Sequence, residues 1–250
     1  MTATAVPQAP GSAPDTVAGA TIRLSPFYAG PPGSVNGGWA AGLAAGLLTG
    51  PDTAPGTPVE VTLRAPVPVD APITGRRDGE RAFLVDATGA TLAETTLATA
   101  IAPAPAFVPV EVAARAGATD NRVATPFPGC FGCGPDRPGG LRVAVGPTGG
   151  DTFAGLWTPP ATAGDLPARY VWAALDCPTG LVHLAAGGTA LLGRFTLARH
   201  RAAGPGEPHV IVARASGSER RKRYSVAALY TAGGDLVAHA AAVWITLREA

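Results

Sequence analysis

Hydrophobic and polar positions along the first half of the chain predict one apolar helix followed by a series of strands. The helix is predicted over 37–48, because Trp39, Leu43 and Leu47 recur every four residues. Its other faces carry Ala and Gly rather than charged residues, which is typical of an enclosed helix. Alternation of apolar and polar residues predicts strands near 21–24, 59–64, 69–77, 81–87 and 91–101.

The second half repeats this order. A hairpin is predicted over 141–145 and 152–157, and an apolar helix over about 170–184. Strands are predicted near 190–200, 208–216, 222–231 and 235–248. The last strands of the two halves also look alike in sequence. Each half thus has a long buried helix followed by antiparallel strands. This repeated order predicts a sheet wrapped around a helix in each half.

Composition and charge narrow the class of protein. The chain has 250 residues, of which 46% are hydrophobic and 15% charged, and this is ample for packed cores. The formal net charge of +1 disfavours nucleic acid or an anionic membrane as a partner, because both need clustered positive charge. No apolar run approaches the roughly 18 residues that a bilayer-spanning helix needs. Three cysteines leave one unpaired in any pairing scheme, so we expect no disulfide framework and a cytoplasmic protein.

The segments outside the two repeats are rich in Ala and Pro. Residues 1–19 lack the basic start and apolar core of a secretory signal, and we expect a flexible tail there. Residues 103–129 have weak periodicity and predict a linker with at most a short helix or strand. The remaining segments, 20–102 and 130–250, are the two predicted units.

Three short stretches, taken in order, resemble a known family. They are Val35-Asn36-Gly37-Gly38-Trp39, then Cys130-Phe131-Gly132-Cys133-Gly134-Pro135-Asp136, then Val171-Trp172-Ala173-Ala174-Leu175-Asp176. With the doubled pattern, they resemble a double (tandem) hot-dog thioesterase of the acyl-CoA thioesterase superfamily, in its phenylacetate-type branch. The resemblance implies an α+β tandem hot-dog, with two antiparallel sheets each wrapped around a long apolar helix, forming an intrachain pseudodimer.

The resemblance also implies an asymmetric site. In that branch a glycine pair and an acid lie about eight residues apart on one helix, and the site joins the glycines of one subunit to the acid of its partner. The acid expected in the first half falls at Ala45, and the glycines expected in the second fall near 167–169, where the sequence is Pro-Ala-Arg. One active site therefore remains, composed of Gly37 and Gly38 with Asp176, and the second site is expected to be inactive.

The chemistry expected there is thioester hydrolysis. Backbone N–H groups of Gly37 and Gly38 suit an oxyanion hole, because the first amides of a helix have no intrahelical partner. Asp176 is the expected base for water or the nucleophile, and the sequence leaves both roles open. A local alternative is that Asp176 caps a helix restarting at Pro178.

Asn36 stands where the family often has His. It cannot exchange protons near neutral pH, and an Asn just before a helix is a good N-cap. We expect capping as its main role beside the catalytic glycines.

The cysteines allow several interpretations. Cys130 and Cys133 could be half of a zinc site, with Cys177 and His183 as conceivable further ligands. A redox pair is another alternative, but its usual context at a helix start is absent. The pattern favours a glycine-supported turn with small packed thiols, and we expect no metal.

Substrate contacts are expected from aromatic and basic side chains. Trp39 and Trp172 lie on the two helices that would border an acyl tail. The densest basic run comprises Arg220, Arg221, Lys222 and Arg223. It could bind the phosphates of coenzyme A, although a solvated hairpin tip would look the same. Coenzyme A enters as part of the substrate, and no other cofactor is expected.

The sequence therefore predicts hydrolysis of an acyl-CoA or acyl carrier protein thioester. The alternative is a non-catalytic hot-dog protein that binds an acyl thioester or serves in assembly, which Asn36 favours. A hot-dog dehydratase would need an Asp/His pair on the first helix, and residues 36–48 have neither. Further association into a homodimer of pseudodimers stays open.

Overall fold

The computed structural model describes residues 19–50, 52–161, 166–184 and 189–247. In this part of the chain, eleven strands form one antiparallel sheet. The strands are β1 (Thr21–Arg23), β2 (Pro58–Leu63), β3 (Pro72–Asp78), β4 (Arg81–Asp86), β5 (Thr91–Leu97), β6 (Gly146–Gly149), β7 (Thr152–Trp157), β8 (Ala190–Arg199), β9 (His209–Glu219), β10 (Lys222–Thr231) and β11 (Leu236–Thr246). Three α-helices accompany the sheet in the same described ranges: α1 (Gly37–Ala45), α2 (Val110–Ala116) and α3 (Ala168–Leu181).

The strand order is β1-β3-β4-β5-β2-β8-β11-β10-β9-β7-β6, so each half contributes one side of the sheet. Two separate sheets were expected, and this expectation is wrong. Strand β2 pairs with β8 in antiparallel register, with Val61 opposite Phe195. Because hydrogen bonds across this seam satisfy an edge from each half, the two sheets become one.

The two longer helices pack against each other. Gly38 of α1 faces Trp172 and Asp176 of α3, whereas Gly42, one turn later, faces Arg169. The helices therefore run antiparallel. A Cβ on Gly42 would lie 2.8 Å from the Arg169 Cα, and a Cβ on Gly38 would overlap the Trp172 carbonyl oxygen. Small residues on α1 thus let the backbones approach closely, and the helix that the sequence predicts to be enclosed is buried along eight of its nine residues.

Most of the predicted strands are found, with ends shifted by a few residues, but the strand predicted at 141–145 is absent. Leu141, Val143 and Val145 are buried, as their alternation suggests. Arg142 between them has φ +52°, which removes it from strand geometry. The amides of Leu141 and Val143 bond instead to the carbonyls of Phe131 and Gly132. Strand β6 begins just after this segment.

The segment predicted as a linker contains α2, which packs against β7. The predicted flexible tail at 1–19 lies, apart from Gly19, outside the described residues. Among those described, no helix is both long and apolar enough to cross a bilayer.

Candidate active site

Asp176 lies on α3 and is 2% exposed. The helix continues through Pro178 to Leu181 without interruption. The alternative in which Asp176 caps a helix restarting at Pro178 is therefore wrong. The backbone carbonyl of Asp176 accepts a 2.6 Å hydrogen bond from the Thr179 hydroxyl, and its side chain is free to face α1.

The carboxylate of Asp176 meets the N-terminus of α1. Its Oδ2 atom accepts hydrogen bonds from the Gly38 amide at 2.8 Å and from Asn36 Nδ2 at 2.9 Å. Asn36 Oδ1 in turn accepts from the Trp39 amide at 2.9 Å, so Asn36 is the N-cap of α1 as predicted. One asparagine therefore caps its own helix and holds the acid of the other.

Burial raises the pKa of Asp176 from 3.8 to about 7. The Gly38 amide opposes this shift, the charge of Cys130 adds to it, and the Asn36 amide opposes it. The second carboxylate oxygen, Oδ1, is buried and has no hydrogen-bond partner among the residues that the structure describes. A carboxylate with one oxygen held and the other unpaired, and with a pKa near neutrality, is typical of a general base.

The two glycines have different surroundings. The Gly38 amide is already occupied by Asp176, so it cannot serve as a free oxyanion donor while that bond persists. The Gly37 amide makes no hydrogen bond within the described part of the chain, and Gly37 lines a cavity. The structure thus brings Asn36, Gly37, Gly38 and Asp176 together but separates the roles of the two glycine amides.

This cavity has a volume of about 270 Å³ and lies between the halves. Asp176, Asn36 and Gly37 line it together, and Ser34, Arg64 and Thr125 are further polar residues of its lining. Its apolar wall includes Val67, Leu181, Leu184, Leu192, Trp244 and Ile245. A mostly apolar cleft with a few polar groups is typical of a small-molecule site.

Neither tryptophan predicted to contact substrate lines this cavity. Trp39, 1% exposed, stacks on Tyr28 with ring centroids 3.9 Å apart and has the Arg169 guanidinium over its face. Trp172 packs edge-on against Phe195 in the core. The placement of both against an acyl tail is wrong for the described cavity, because the antiparallel contact of α1 with α3 turns these rings into the interior.

Trp244 is the tryptophan that lines the cavity, and the sequence interpretation missed it. Its Nε1 donates to the Thr179 hydroxyl at 2.9 Å, which links β11 to α3. The alternation of β11 was the available signal, but it could not reveal which face borders a cavity.

The predicted basic run lies at the turn between β9 and β10. Arg220 has φ +51° and is exposed. The Arg221 carbonyl accepts a 2.9 Å hydrogen bond from the Thr246 amide, at the end of β11. Because Ile245 and Leu247 line the cavity, this hairpin tip sits beside one of its walls.

The three cysteines converge next to Asp176, and all three are free thiols that line the cavity. The Cys130 and Cys177 sulfurs lie 3.8 Å apart, and Cys133 Sγ lies 3.1 Å from the Thr125 hydroxyl. Hydrogen bonds from the Cys133 and Cys177 thiols, with backbone amides of Cys133 and Gly132, lower the pKa of Cys130 to about 3. His183 is outside this group and lies near Arg223 and the Tyr224 backbone.

No protein-family model matches the sequence, and a search of curated proteins finds no match. Solved structures do resemble it over nearly the full chain. A hot-dog protein of unknown function from Alicyclobacillus acidocaldarius aligns with a TM-score of 0.60 and 16% identity, covering 92% of this chain and 93% of that one.

Two mycobacterial structures are similar in the same way. The tesB protein of Mycobacterium avium subs paratuberculosis has a TM-score of 0.60 and 13% identity, covering 91% of this chain and 92% of its own. The acyl-CoA thioesterase II TesB2 of Mycobacterium marinum has a TM-score of 0.52 and 13% identity, covering 87% and 91%. None of these points to the phenylacetate-type branch. At this identity the likeness concerns architecture, and it confirms that the chain has the α+β hot-dog fold of the TesB-type double hot-dog thioesterases.

Proposed function

We propose that this protein hydrolyses an acyl-CoA or acyl carrier protein thioester at the cavity between its halves. The observation that carries the proposal is the 2.8 Å hydrogen bond from the Gly38 amide to the Asp176 carboxylate. It joins an acid of one half to the helix start of the other in the lining of a mostly apolar cavity. Cleavage of a thioester needs an acid or base and an oxyanion site at one place, and this junction offers both.

Each group at the junction has a role in the proposal. The Gly37 amide, at the positive end of α1, stabilises the oxyanion that forms on the thioester carbonyl. The amides of Gly38 and Asn36 hold Asp176 by one oxygen. The unpaired Oδ1 then accepts a proton from water as the water oxygen bonds to the carbonyl carbon. The C–S bond breaks next, and the leaving thiolate takes up the proton, which restores the carboxylate.

Nucleophilic attack by Asp176 is the other route. Oδ1 would bond to the carbonyl carbon, the C–S bond would break, and the thiolate would leave and take up a proton. Water would then hydrolyse the acyl anhydride and restore the carboxylate. If water attacks the aspartyl carbon of this anhydride, a single turnover in labelled water leaves solvent oxygen in Asp176, which the general-base route never does.

The acyl tail would lie in the apolar part of the cavity. The pantetheine and phosphates would extend toward the hairpin of Arg220, Arg221, Lys222 and Arg223, which lies beside the cavity wall. The free thiols suit a reducing compartment such as the cytoplasm.

The direct test compares the wild-type protein with Asp176→Asn and Asp176→Ala on a panel of acyl-CoA thioesters. Loss of thioester absorbance is the better readout, since the cysteines of the protein would react with a thiol reagent. We expect both variants to lose at least about 100-fold in kcat. Asp151→Asn is the matched control, because that exposed carboxylate makes a loose 3.6 Å ion pair with Arg214 and accepts a long 3.5 Å hydrogen bond from the Thr152 hydroxyl. No turnover on any thioester, or equal rates for all variants, would refute the proposal.

A non-catalytic acyl-thioester-binding or assembly protein is the second candidate. Asn36 favours it, because it replaces a titratable residue and, with Asp176, forms a complete helix cap. That function predicts calorimetric binding of acyl-CoA without turnover, with affinity retained in Asp176→Asn.

A further inference from the structure

The cysteine cluster at Cys130, Cys133 and Cys177 has the geometry of a metal site. All three sulfurs lie within 4.8 Å of one another. A tetrahedral zinc ion with Zn–S bonds of about 2.3 Å places its sulfurs about 3.8 Å apart. The Cys130 and Cys177 sulfurs are 3.8 Å apart in this structure, although 47 positions separate them in sequence. The sulfurs of Cys130 and Cys177 are thus already at the required spacing, and the Cys133 sulfur, from the same turn as Cys130, lies within 4.8 Å of both.

The turn that carries Cys130 and Cys133 is shaped around the first sulfur. The Gly134 amide donates to the Cys130 carbonyl at 2.8 Å and closes the turn. A Cβ on Gly134 would overlap the Pro128 carbonyl oxygen and lie 2.5 Å from the Cys130 nitrogen, so only glycine fits. The sequence Cys-x-x-Cys-Gly therefore encodes a tight loop that directs two thiols to one side.

A second glycine leaves room for the third sulfur. A Cβ on Gly132 would lie 2.7 Å from Cys177 Sγ, closer than real contacts allow. Asn36 Nδ2 lies 3.7 Å from the Cys130 sulfur and 3.8 Å from the Cys177 sulfur, where it can donate to thiolates. The cluster thus has a cradle and a polar donor, which a turn of merely packed thiols does not need.

We propose that Cys130, Cys133 and Cys177 bind one thiophilic divalent ion, with Zn²⁺ as the expected metal. Three protein ligands leave a fourth position, and since all three cysteines line the cavity, that position is accessible from it. No fourth His, Cys, Asp or Glu joins the group among the described residues. The bound ion ties the 130–134 turn to α3 beside Asp176. This proposal is independent of thioester hydrolysis.

The test uses full-length protein, reduced and stripped of metal with a chelator. Titration with Co²⁺ should give one equivalent of binding, with thiolate charge-transfer absorption and the visible bands of tetrahedral cobalt, both abolished by Zn²⁺. Zn²⁺ should also protect the three thiols from alkylation. Cys133 is the half-buried ligand of the three. Loss of a residue that only supports a metal ligand typically weakens metal binding by roughly 10- to 100-fold, and we expect Cys133→Ser, which removes a ligand itself, to weaken Co²⁺ binding by more than that.

His183→Gln is the matched control and should bind Co²⁺ like the wild type, since this imidazole lies outside the cluster. Cys130→Ser and Cys177→Ser should repeat the loss, with circular dichroism establishing that each variant is folded. Absence of the charge-transfer band, equal alkylation with and without Zn²⁺, or unchanged affinity in folded cysteine variants would each overturn the proposal. The proposal would also be overturned if the protein is isolated with a disulfide in this cluster and, once that disulfide is reduced, still binds no metal.

Discussion

Replacing Asp176 by Asn should make the protein more stable while it removes catalysis. Gly38 and Asn36 both donate to the same oxygen, Oδ2. The amide oxygen of Asn can accept both bonds, and its NH₂ group takes the place of Oδ1, which has no hydrogen-bond partner in the described part of the chain. The substitution therefore keeps the junction between α1 and α3 and removes only the buried charge.

The size of the gain follows from the cost of burying that charge. Raising the pKa of Asp176 from 3.8 to about 7 corresponds to about 4 kcal/mol of lost stability once the group is ionised. The new NH₂ group without a partner costs about 1–3 kcal/mol. We expect Asp176→Asn to be more stable by about 1–3 kcal/mol at pH 8.

The dependence on pH gives the sharpest check. Because the pKa is higher in the folded state, the wild type loses stability as the pH rises from 3.8 to about 7, whereas the variant lacks this loss. The advantage of Asp176→Asn should thus be about 2–3 kcal/mol smaller at pH 5 than at pH 8. Urea unfolding at both pH values, with chelator present to equalise metal content, measures this difference. An advantage that does not change with pH, or a variant less stable than the wild type at pH 8, would refute the reasoning.

Three further predictions follow from the packing and the cavity. Gly38→Ala should cost at least about 1–3 kcal/mol in urea unfolding, because its Cβ would overlap the Trp172 carbonyl. Gly37→Ala should cost less, because its Cβ would meet side-chain atoms rather than backbone: Leu192 Cδ2 at 3.0 Å, Leu192 Cβ at 3.2 Å and Asp176 Oδ2 at 3.4 Å. Trp244→Ala should shift the preferred acyl chain to greater length in the thioester panel, because it removes a ring from the cavity wall. Burial, and then the nearby His200, lower the pKa of His239, so stability should fall as the pH drops below 6.5, and His239→Gln should flatten that fall.

Each of these has an outcome that contradicts it. Equal destabilisation by the two glycine substitutions would mean that the contact of α1 with α3 is not the tight one described. An unchanged chain-length profile would place the acyl tail elsewhere. A parallel pH dependence in His239→Gln would assign the acid sensitivity to other groups.

Local sequence patterns predicted most of the secondary structure because alternation and four-residue periodicity report directly on burial. The pairing of Asp176 with the start of α1 was predicted through the family resemblance together with the repeat, since 138 positions separate Gly38 from its acceptor. The left-handed backbone of Arg142 has no comparable signal, and it converted a predicted strand into a loop.

The seam and the cavity could not be predicted from local patterns. Pairing of β2 with β8 joins strands from separate repeats, and neither strand encodes its partner. Likewise, Trp39 and Trp244 are both apolar residues on amphipathic or buried elements. Which of them borders the cavity depends on how α1, α3 and β11 meet, and that is a property of the assembled sheet.

The hydrogen-bonded seam between β2 and β8 has an evolutionary consequence. In a dimer of identical subunits every substitution occurs twice, so a change that benefits one face of a pocket is also imposed on its symmetric copy. Here each position exists once in every pair of halves, because both halves belong to one chain. The glycines could therefore be retained on α1 and the carboxylate on α3. The residues of one cavity wall can likewise change without the same change in the opposite wall.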